Sequence, residues 1–486
     1  MKTGGSHKRL RQRKNMPSNL EFGKELTVHK TDVPGLIWFD LPVHGDTRGW
    51  FKENWQREKM LALGLPDFHP VQNNISFNAE KGVTRGIHAE PWDKYVSVAT
   101  GKVFGAWVDL REGDSFGKTF TLEIDPTKSI FVPRGVANSF QALEDNTAYT
   151  YLVNDHWSAN NKDYAFVNLG CSHVGIKWPI PLDQAELSEK DKAHPHLPDV
   201  TPLKPRKVLI TGANGQLGKA LKIEFPDAEY VDRSTFDISD TSTWGDRHWK
   251  DYGVIINAAA YTAVDAAETN EGRIEAWKAN ATGLQNLAQI STENNITLVN
   301  ISSDYVFDGA TEIHSEDENF SPLNVYGQSK AAGDLIAATV PQHYTIRTTW
   351  VIGDGSNFVN IMKGLAEKGV KPNVVNDQIG RLTFTEDLAK GIKHLIKSIA
   401  PYGTYNLTNS GESVSWADIA KKTYELIGYN PEDISGVSTK EYYAGKEGIA
   451  PRPLQSTLKL DKIEATGFAP RRWDTALREY LEQSKS

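Results

Sequence analysis

The stretch that most constrains this chain is Lys207-Val-Leu-Ile-Thr-Gly-Ala-Asn-Gly-Gln-Leu-Gly218. Val208, Leu209 and Ile210 form a short apolar run that reads as a buried strand. The run breaks into Gly212-x-x-Gly215-x-x-Gly218, and a helical pattern follows at Leu217, Ala220, Leu221 and Ile223. In a strand, glycine turn and helix of this kind, the glycines let the backbone turn tightly and let a pyrophosphate approach. The first N–H groups of the helix then face that pyrophosphate. The glycine spacing alone fits an ordinary turn of a parallel sheet equally well, so the downstream pattern has to decide.

A chain of 486 residues is too long for one core, and two or three domains are expected. A net charge of −8, with 24% charged residues, gives no electrostatic case for nucleic-acid binding. The single cysteine, Cys171, excludes an intramolecular disulfide and fits a reducing cytoplasm. No apolar run approaches the roughly 18 residues of a membrane helix. No apolar stretch follows the basic residues near the start, as a signal peptide would require. A cytoplasmic protein without membrane attachment is expected.

Residues 1–23 read as a disordered basic tail, with Lys8, Arg9, Arg11, Arg13 and Lys14 as a solvated leader rather than a polyanion site. From 24 to 181 the pattern is short strands rich in aromatic and β-branched residues, such as Tyr95-Val-Ser-Val-Ala and Ala148-Tyr-Thr-Tyr-Leu-Val. Close turn signals between them point to an all-β barrel or sandwich of jelly-roll type. Residues 182–205 are polar and punctuated by Pro195, Pro198, Pro202 and Pro205, and read as a linker. From 206 to 486 strands alternate with helices, as in a doubly wound parallel sheet, the Rossmann architecture.

Three constellations turn the glycine motif into a reductase site. Val254-Ile-Ile-Asn-Ala-Ala-Ala260 is a strand ending in small residues, where backbone can lie beside a cofactor. Ile301-Ser-Ser-Asp-Tyr-Val-Phe307 is a strand end carrying hydroxyls, and ligands of open α/β sheets bind beyond such ends. Tyr326 and Lys330 stand one helical turn apart, on one face. Reducing a ketone with hydride requires a proton donor at the developing alkoxide. A nearby ammonium would lower the tyrosine pKa toward that task, and Ser303 could hold the ketone oxygen. The cofactor is ambiguous: Asp232 could hold a ribose 2′-hydroxyl and Arg233 a 2′-phosphate. NADPH is expected, with NADH possible.

These residues resemble the extended short-chain dehydrogenase/reductases and, more closely, the dTDP-4-dehydrorhamnose reductase family over nearly all of 206–486. The match runs through Thr211–Gly218, Asn257–Asp265, Ser303–Phe307, Arg347–Trp350, Asn357–Val359, Asp377–Gly380 and Arg452-Pro453. The resemblance implies that Ser303, Tyr326 and Lys330 are catalytic. It implies a cofactor held by Gly212, Gly215, Gln216, Leu217, Gly218, Ala258, Ala259 and Tyr261, with Asp237 and Ile238 flanking the adenine. Thr262, Val264, Asp304, Tyr305 and Trp350 would line the sugar pocket. Leu382 stands where the family usually has proline.

In the β region, Gln72-Asn-Asn-Ile-Ser76 and Arg85-Gly-Ile-His88 put polar residues where a half-buried barrel would be apolar. His88, Lys94 and Tyr151 supply a base, a cation and a phenol. Those are the groups needed to invert a carbon beside a ketone: one removes the α-proton, one stabilises the enolate and one reprotonates the other face. Residues 30–181 resemble the dTDP-4-dehydrorhamnose 3,5-epimerases, which are cupin-like jelly rolls. The match runs through Asp46–Glu53, Arg85–His88, Lys94, Val108–Arg111 and Val132–Gly135. The resemblance implies His88 as base, Tyr151 as acid and Lys94 as enolate stabiliser, with Arg48, Glu53, Gln72, Asn74 and Arg85 on the nucleotide sugar. It also implies a homodimer through this domain.

Two positions depart from the family. Asn138 replaces a common histidine, as it does in some members with the same short spacing between His88 and Lys94. Cys171 stands where an aspartate usually orients the catalytic histidine, and a thiol supports an imidazolium far less well. Either another acid substitutes, or the epimerase is slow, or the domain is a non-catalytic dimerisation or binding module. No His-x-His cluster accompanies His88, so a metal-free site is expected, with any need for Mg2+ left open. The combined expectation is a fused enzyme that epimerises a dTDP-4-keto-6-deoxy sugar and then reduces its C4 ketone.

Overall fold

Side chains of the strand Lys207–Thr211 alternate between two faces of one sheet, and both faces are covered. Leu209 joins a cluster with Ile255, Leu284, Leu287 and Leu298, whereas Ile210 joins one with Leu221, Ile256, Val299, Ile346 and Leu388. Burial on both faces is why the strand reads as an unbroken apolar run. Each such side chain contributes about 1.5–3 kcal/mol on leaving water. The computed structural model describes residues 20–156 and 164–483, so the basic run at 8–14 lies outside the described residues. The chain divides into two compact units, Met1–Pro205 and Arg206–Ser486.

In the second unit six parallel strands stand in the spatial order Glu229–Val231, Lys207–Thr211, Tyr252–Asn257, Thr297–Ser303, His343–Thr348, Gly403–Asn406. The chain leaves Lys207–Thr211 toward one edge, then returns to build toward the other. That reversal opens a crevice at the carboxyl ends of the strands, where ligands of such sheets bind. Helices Gln216–Glu224 and Thr385–Ser398 cover one face, and Gly283–Glu293 covers the other. Asn324 caps the helix Val325–Ala337 by accepting from the Gly327 amide at 2.7 Å, worth about 1 kcal/mol. Leu382 is fully buried with Ile352, Phe384 and Ile419 in a further core, so an apolar side chain suits that position.

The first unit is two antiparallel sheets, one of six strands and one of five. Val96, Val98, Trp107, Ile130 and Tyr149 form the core shared by strands of both sheets, with Trp107 fully buried. Neighbouring residues on the same strands face outward into separate cores. Tyr95 and Phe131 meet Phe39, Met60 and Phe68, while Val108 and Ala137 meet Val167, Leu169 and Cys171.

Residues 182–205 belong to this unit rather than forming a free linker. Leu187, Leu197 and Val200 pack into the Val167–Cys171 core, and Glu186 pairs with Val83 beside the strand Thr84–Ala89. The segment reads as polar because only every few residues point inward. Its short helix Glu189–Lys192 is capped by Ser188, which accepts from the Asp191 amide at 3.1 Å.

Candidate active sites

His88 lies on Thr84–Ala89, where Ile87 and Ala89 enter the core on the other side of that strand. It faces a cavity of about 500 Å³ that Lys94, Tyr151, Arg85 and Asp191 also line. Lys94 begins the strand Lys94–Thr100, and Tyr151 sits on its neighbour Thr147–Val153. Lys94 is buried and ion-paired with Glu90, and its Nζ lies 5.4 Å from the Tyr151 ring centre. Burial pushes the Tyr151 phenol above its ordinary value, and the Glu90 charge adds to this. Tyr151 therefore keeps its proton at neutral pH and can act as an acid.

His88 Nε2 bonds Asp191 Oδ1 at 2.8 Å. A carboxylate only accepts, so Nε2 carries the hydrogen and the neutral ring keeps its lone pair on Nδ1. Burial pushes the Asp191 carboxyl up, but His88 and the Ser188 hydroxyl outweigh it and hold it below the ordinary carboxylate value. An ionised acid thus sits behind the imidazole. Cys171 plays no such part: it is buried, and its sulfur accepts from the Leu197 amide at 3.3 Å. Of the three readings left open for Cys171, the geometry matches the one in which another acid substitutes. Sequence reasoning missed Asp191 because it lies in the stretch taken for a linker.

His194 also escaped it. Its ring stacks on Phe166 at 4.7 Å and meets His88 edge-on at 5.3 Å. Asn138 lines the cavity, its side-chain oxygen accepting from Tyr149 Oη at 2.7 Å and Trp107 Nε1 at 3.0 Å. Arg85 donates to Asn78 at 3.1 Å. Arg48, Glu53, Gln72 and Asn74 lie outside this cavity lining. Arg48 is exposed and paired with Asp46, Glu53 with Lys59, and Gln72 donates to Asn74 at 2.7 Å.

In the second unit a cavity of about 490 Å³ opens beside the glycine turn. Gly212, Gly215, Asp237, Ile238, Ala258, Ala259 and Tyr261 line it. Gly212 has φ +69°, and a Cβ there would lie 2.6 Å from the Ala258 carbonyl carbon. A Cβ on Gly218 would lie 2.2 Å from the Gly212 oxygen. Both positions need glycine, and the bare backbone leaves a cradle suited to a dinucleotide. Gly215 caps Gln216–Glu224 without a side-chain bond, leaving the first amides of that helix for an anion. Leu217 and Gly218 pack behind the turn, and Gln216 faces a separate cavity.

Asp232 and Arg233 also line this cavity. Asp232 accepts from Asn214 at 2.6 Å and from the Ser234 hydroxyl at 2.5 Å. Arg233 donates to Glu275 at 3.0 Å and Asp237 at 3.3 Å. Tyr261 connects this cavity to Tyr326, since both belong to one apolar cluster with Val264 and Tyr305. Asn280, in a wide turn interrupting the helix, accepts from the Tyr261 amide at 2.9 Å and donates to Ser329 at 2.9 Å. Sequence reasoning gave it no role.

Ser303 ends the strand Thr297–Ser303, and its hydroxyl donates to Asp304 at 3.0 Å. Burial pushes the Tyr326 phenol up to about 12, opposed by a hydrogen bond with Ser303. The direction is opposite to the lowering expected from an ammonium nearby: burial dominates, and the charges of Asp304 and Asp334 add to it. Burial acts on Lys330 too, pushing it down to about 8. Lys330 Nζ donates to the Ile301 carbonyl at 2.5 Å. Burial raises Asp304 to about 6. Tyr305 meets Tyr326 edge-on at 5.5 Å, and Trp350 stacks on Trp416 at 3.9 Å. Thr262 is exposed on the loop after Tyr261. Arg452 bonds Asp265 at 2.8 Å, tying that loop to the C-terminal region.

Residues 206–486 match the family model described as the RmlD substrate binding domain, and residues 30–199 match that of dTDP-4-dehydrorhamnose 3,5-epimerase. The first region is 34% identical to a dTDP-4-dehydrorhamnose reductase of Sinorhizobium fredii, over 56% of this chain and 95% of that protein. It is also similar to the crystal structure of a Bacillus anthracis dTDP-4-dehydrorhamnose reductase in complex with NADP. The TM-score is 0.52 and the identity 34%, over 57% of this chain and 99% of that one. The N-terminal region is 56% identical to a Streptococcus pyogenes protein named as an RmlC homolog, over 38% of this chain and 96% of that protein. The chain belongs to the RmlD substrate-binding family through residues 206–486 and to the dTDP-4-dehydrorhamnose 3,5-epimerase family through residues 30–199.

Proposed function

We propose that the protein catalyses two consecutive steps of dTDP-L-rhamnose synthesis, epimerising dTDP-4-keto-6-deoxyglucose at C3 and C5 and then reducing the C4 ketone. The observation that carries the first step is the His88–Asp191 pair at 2.8 Å, facing Lys94 and Tyr151 across one cavity. Nδ1 of His88 removes the proton on the carbon beside the ketone, and Asp191 stabilises the imidazolium that forms. Electrons move into the carbon–carbon bond, and Lys94 faces the enolate oxygen. Tyr151 returns a proton to the opposite face. Arg85 is the member of the expected sugar-binding set that lines this cavity. The first unit is read as a jelly roll of cupin type. The alternative, a non-catalytic module, rests on Cys171 standing where an aspartate is usual; the Asp191 carboxylate beside His88 supports the catalytic reading.

For the second step, a reduced nicotinamide supplies the hydride when bound. Tyr326 gives its proton to the C4 oxygen while Ser303 holds that oxygen. Lys330 offsets the negative charge left on the phenolate. The glycine cradle fits a dinucleotide, and Arg233 at the cavity favours NADPH, with NADH tolerated. Thr262, Val264, Asp304, Tyr305 and Trp350 are read as the sugar side of this site. A homodimer through the first unit is supported by the edge strand Gln72–Asn78, which leaves Ile75 69% and Phe77 58% exposed. A cytoplasmic setting fits a biosynthetic enzyme. Among the described residues no helix is long and apolar enough to cross a membrane.

The test is one reaction: protein, dTDP-4-keto-6-deoxyglucose and NADPH in D2O. NADPH oxidation with deuterium at both C3 and C5 and an L-rhamno product is expected. Oxidation only after a separate epimerase is added would leave the reductase alone.

A further inference from the structure

His88, Asp191 and His194 each offer one ligand atom, and the three atoms lie within 4.8 Å of one another. Asp191 Oδ1 is 2.8 Å from His88 Nε2 and 3.9 Å from His194 Nε2. A tetrahedral zinc ion with bonds of about 2.0 Å keeps its ligand atoms roughly 3.3 Å apart. Small side-chain rotations therefore bring this set to binding distance. Two imidazoles and one carboxylate suit zinc and related transition metals rather than magnesium or calcium.

His194 supplies the second, independent observation. The residue is only 8% exposed, yet neither ring nitrogen completes a hydrogen bond. The Gly86 backbone lies beside the ring and favours a proton on it, but outside hydrogen-bond geometry.

We propose that His88, Asp191 and His194 form a binding site for a divalent transition metal, with zinc as the natural test ion, and that its occupation silences the epimerase. The silencing rests on the reading of His88 as the base; the binding does not. Catalysis needs the hydrogen on Nε2 and the lone pair on Nδ1. Metal coordination through Nε2 moves that hydrogen to Nδ1, which then cannot accept a proton from the sugar. No proton is lost overall, since the ring exchanges one neutral tautomer for the other. The metal also draws Asp191 away from the imidazole. Metal-free catalysis and metal-inhibited rest are thus two states of one residue set.

The experiment titrates the full-length, chelator-treated protein with Zn2+ against a chromogenic zinc indicator. Deuterium uptake at C3 and C5 is followed in parallel. One zinc per chain is expected, held at least 10-fold less tightly in both His194→Ala and His194→Gln. Co2+ in place of zinc should give the visible absorption of a tetrahedral site in the unsubstituted protein and not in the two variants. Near-UV circular dichroism and melting curves matching those of the unsubstituted protein report that the first unit of the variants is folded, and NADPH oxidation on a pre-epimerised ketone should persist when zinc stops deuterium uptake. No bound zinc, or zinc held equally by the variants, overturns the site. Zinc bound through His194 without loss of deuterium uptake keeps the site and overturns His88 as the base.

Discussion

His88 and Asp191 are separated by 103 residues in sequence and by 2.8 Å in space. The pair makes Asp191, not Cys171, the group that sets the histidine tautomer. Asp191→Asn should lower deuterium uptake at C3 and C5 by roughly 10²-fold, in line with the worth of a positioned acid–base group. NADPH oxidation on a pre-epimerised ketone should be unchanged. Cys171→Ala should keep deuterium uptake within a few-fold and cost only stability, about 1–2 kcal/mol for the Leu197 amide left without its acceptor. Equal losses in the two variants would refute the assignment.

What the sequence disclosed and what it hid divide along physical lines. The glycine turn and the Tyr326–Lys330 spacing are local, so their geometry is written in consecutive residues. Both faces of the parallel sheet are apolar, so strands such as Tyr252–Asn257 are legible as runs. Asp191 and His194 are legible only once the chain has folded back. Their segment is anchored by a few apolar residues, Leu187, Leu197 and Val200, among many exposed polar ones. Composition therefore reads it as a linker. Burial was equally hidden: the Tyr326–Lys330 spacing suggested a lowered tyrosine pKa, whereas burial raises it to about 12.

Lys330 predicts the alkaline limb of the reductase. Its folded pKa is about 8, lowered by burial. The ammonium is present below that pH and lost above it, so ketone reduction should fall as pH rises through about 8. Stability moves the other way. Between about 8 and the ordinary 10.5, the unfolded chain holds the proton and the folded chain does not, so folding is favoured as pH rises. Initial rates of NADPH oxidation from pH 6 to 10, with melting curves at each pH, check both signs.

Asp304 predicts an acid-side effect. Its folded pKa is raised from 3.8 to about 6 by burial. Between those values the folded chain holds a proton that the unfolded chain has released, so stability falls as pH rises through this window. The penalty at pH 7 is on the order of 3 kcal/mol. Asp304→Asn keeps the shape and removes the charge. It should raise the melting temperature of the reductase unit at pH 7 and flatten its dependence between pH 4 and 6. A variant that melts lower at pH 7 would contradict this.

Gly218 tests the glycine cradle. A Cβ there would sit 2.2 Å from the Gly212 oxygen, a contact with backbone that cannot swing aside. Gly218→Ala should push helix Gln216–Glu224 off the turn and weaken NADPH binding by at least about 10-fold, with a cost of roughly 1–3 kcal/mol for the overpacked contact. Fluorescence titration with NADPH reads the first effect and thermal melting the second. Deuterium uptake at C3 and C5 should survive.

Arg233 tests the choice of cofactor. Its guanidinium lines the dinucleotide cavity beside Asp232, already paired with Glu275 and Asp237. A 2′-phosphate entering that corner would compete with two carboxylates for the same donors, and Asp232 would repel it. Arg233 is then the group that offsets the repulsion, and a charge-assisted hydrogen bond of this kind is worth about 1.5–3 kcal/mol. Arg233→Ala should therefore raise the KM for NADPH by about 10-fold or more. NADH has no phosphate to lose, and Asp232 remains to accept from its ribose hydroxyls, so its KM should stay within about 2-fold. The opposite substitution, Asp232→Asn, should strengthen NADPH and weaken NADH. Steady-state kinetics with both cofactors on a pre-epimerised ketone would decide the matter. If Arg233→Ala weakens both cofactors equally, the side chain acts through its ion pairs on the shape of the loop rather than on the phosphate.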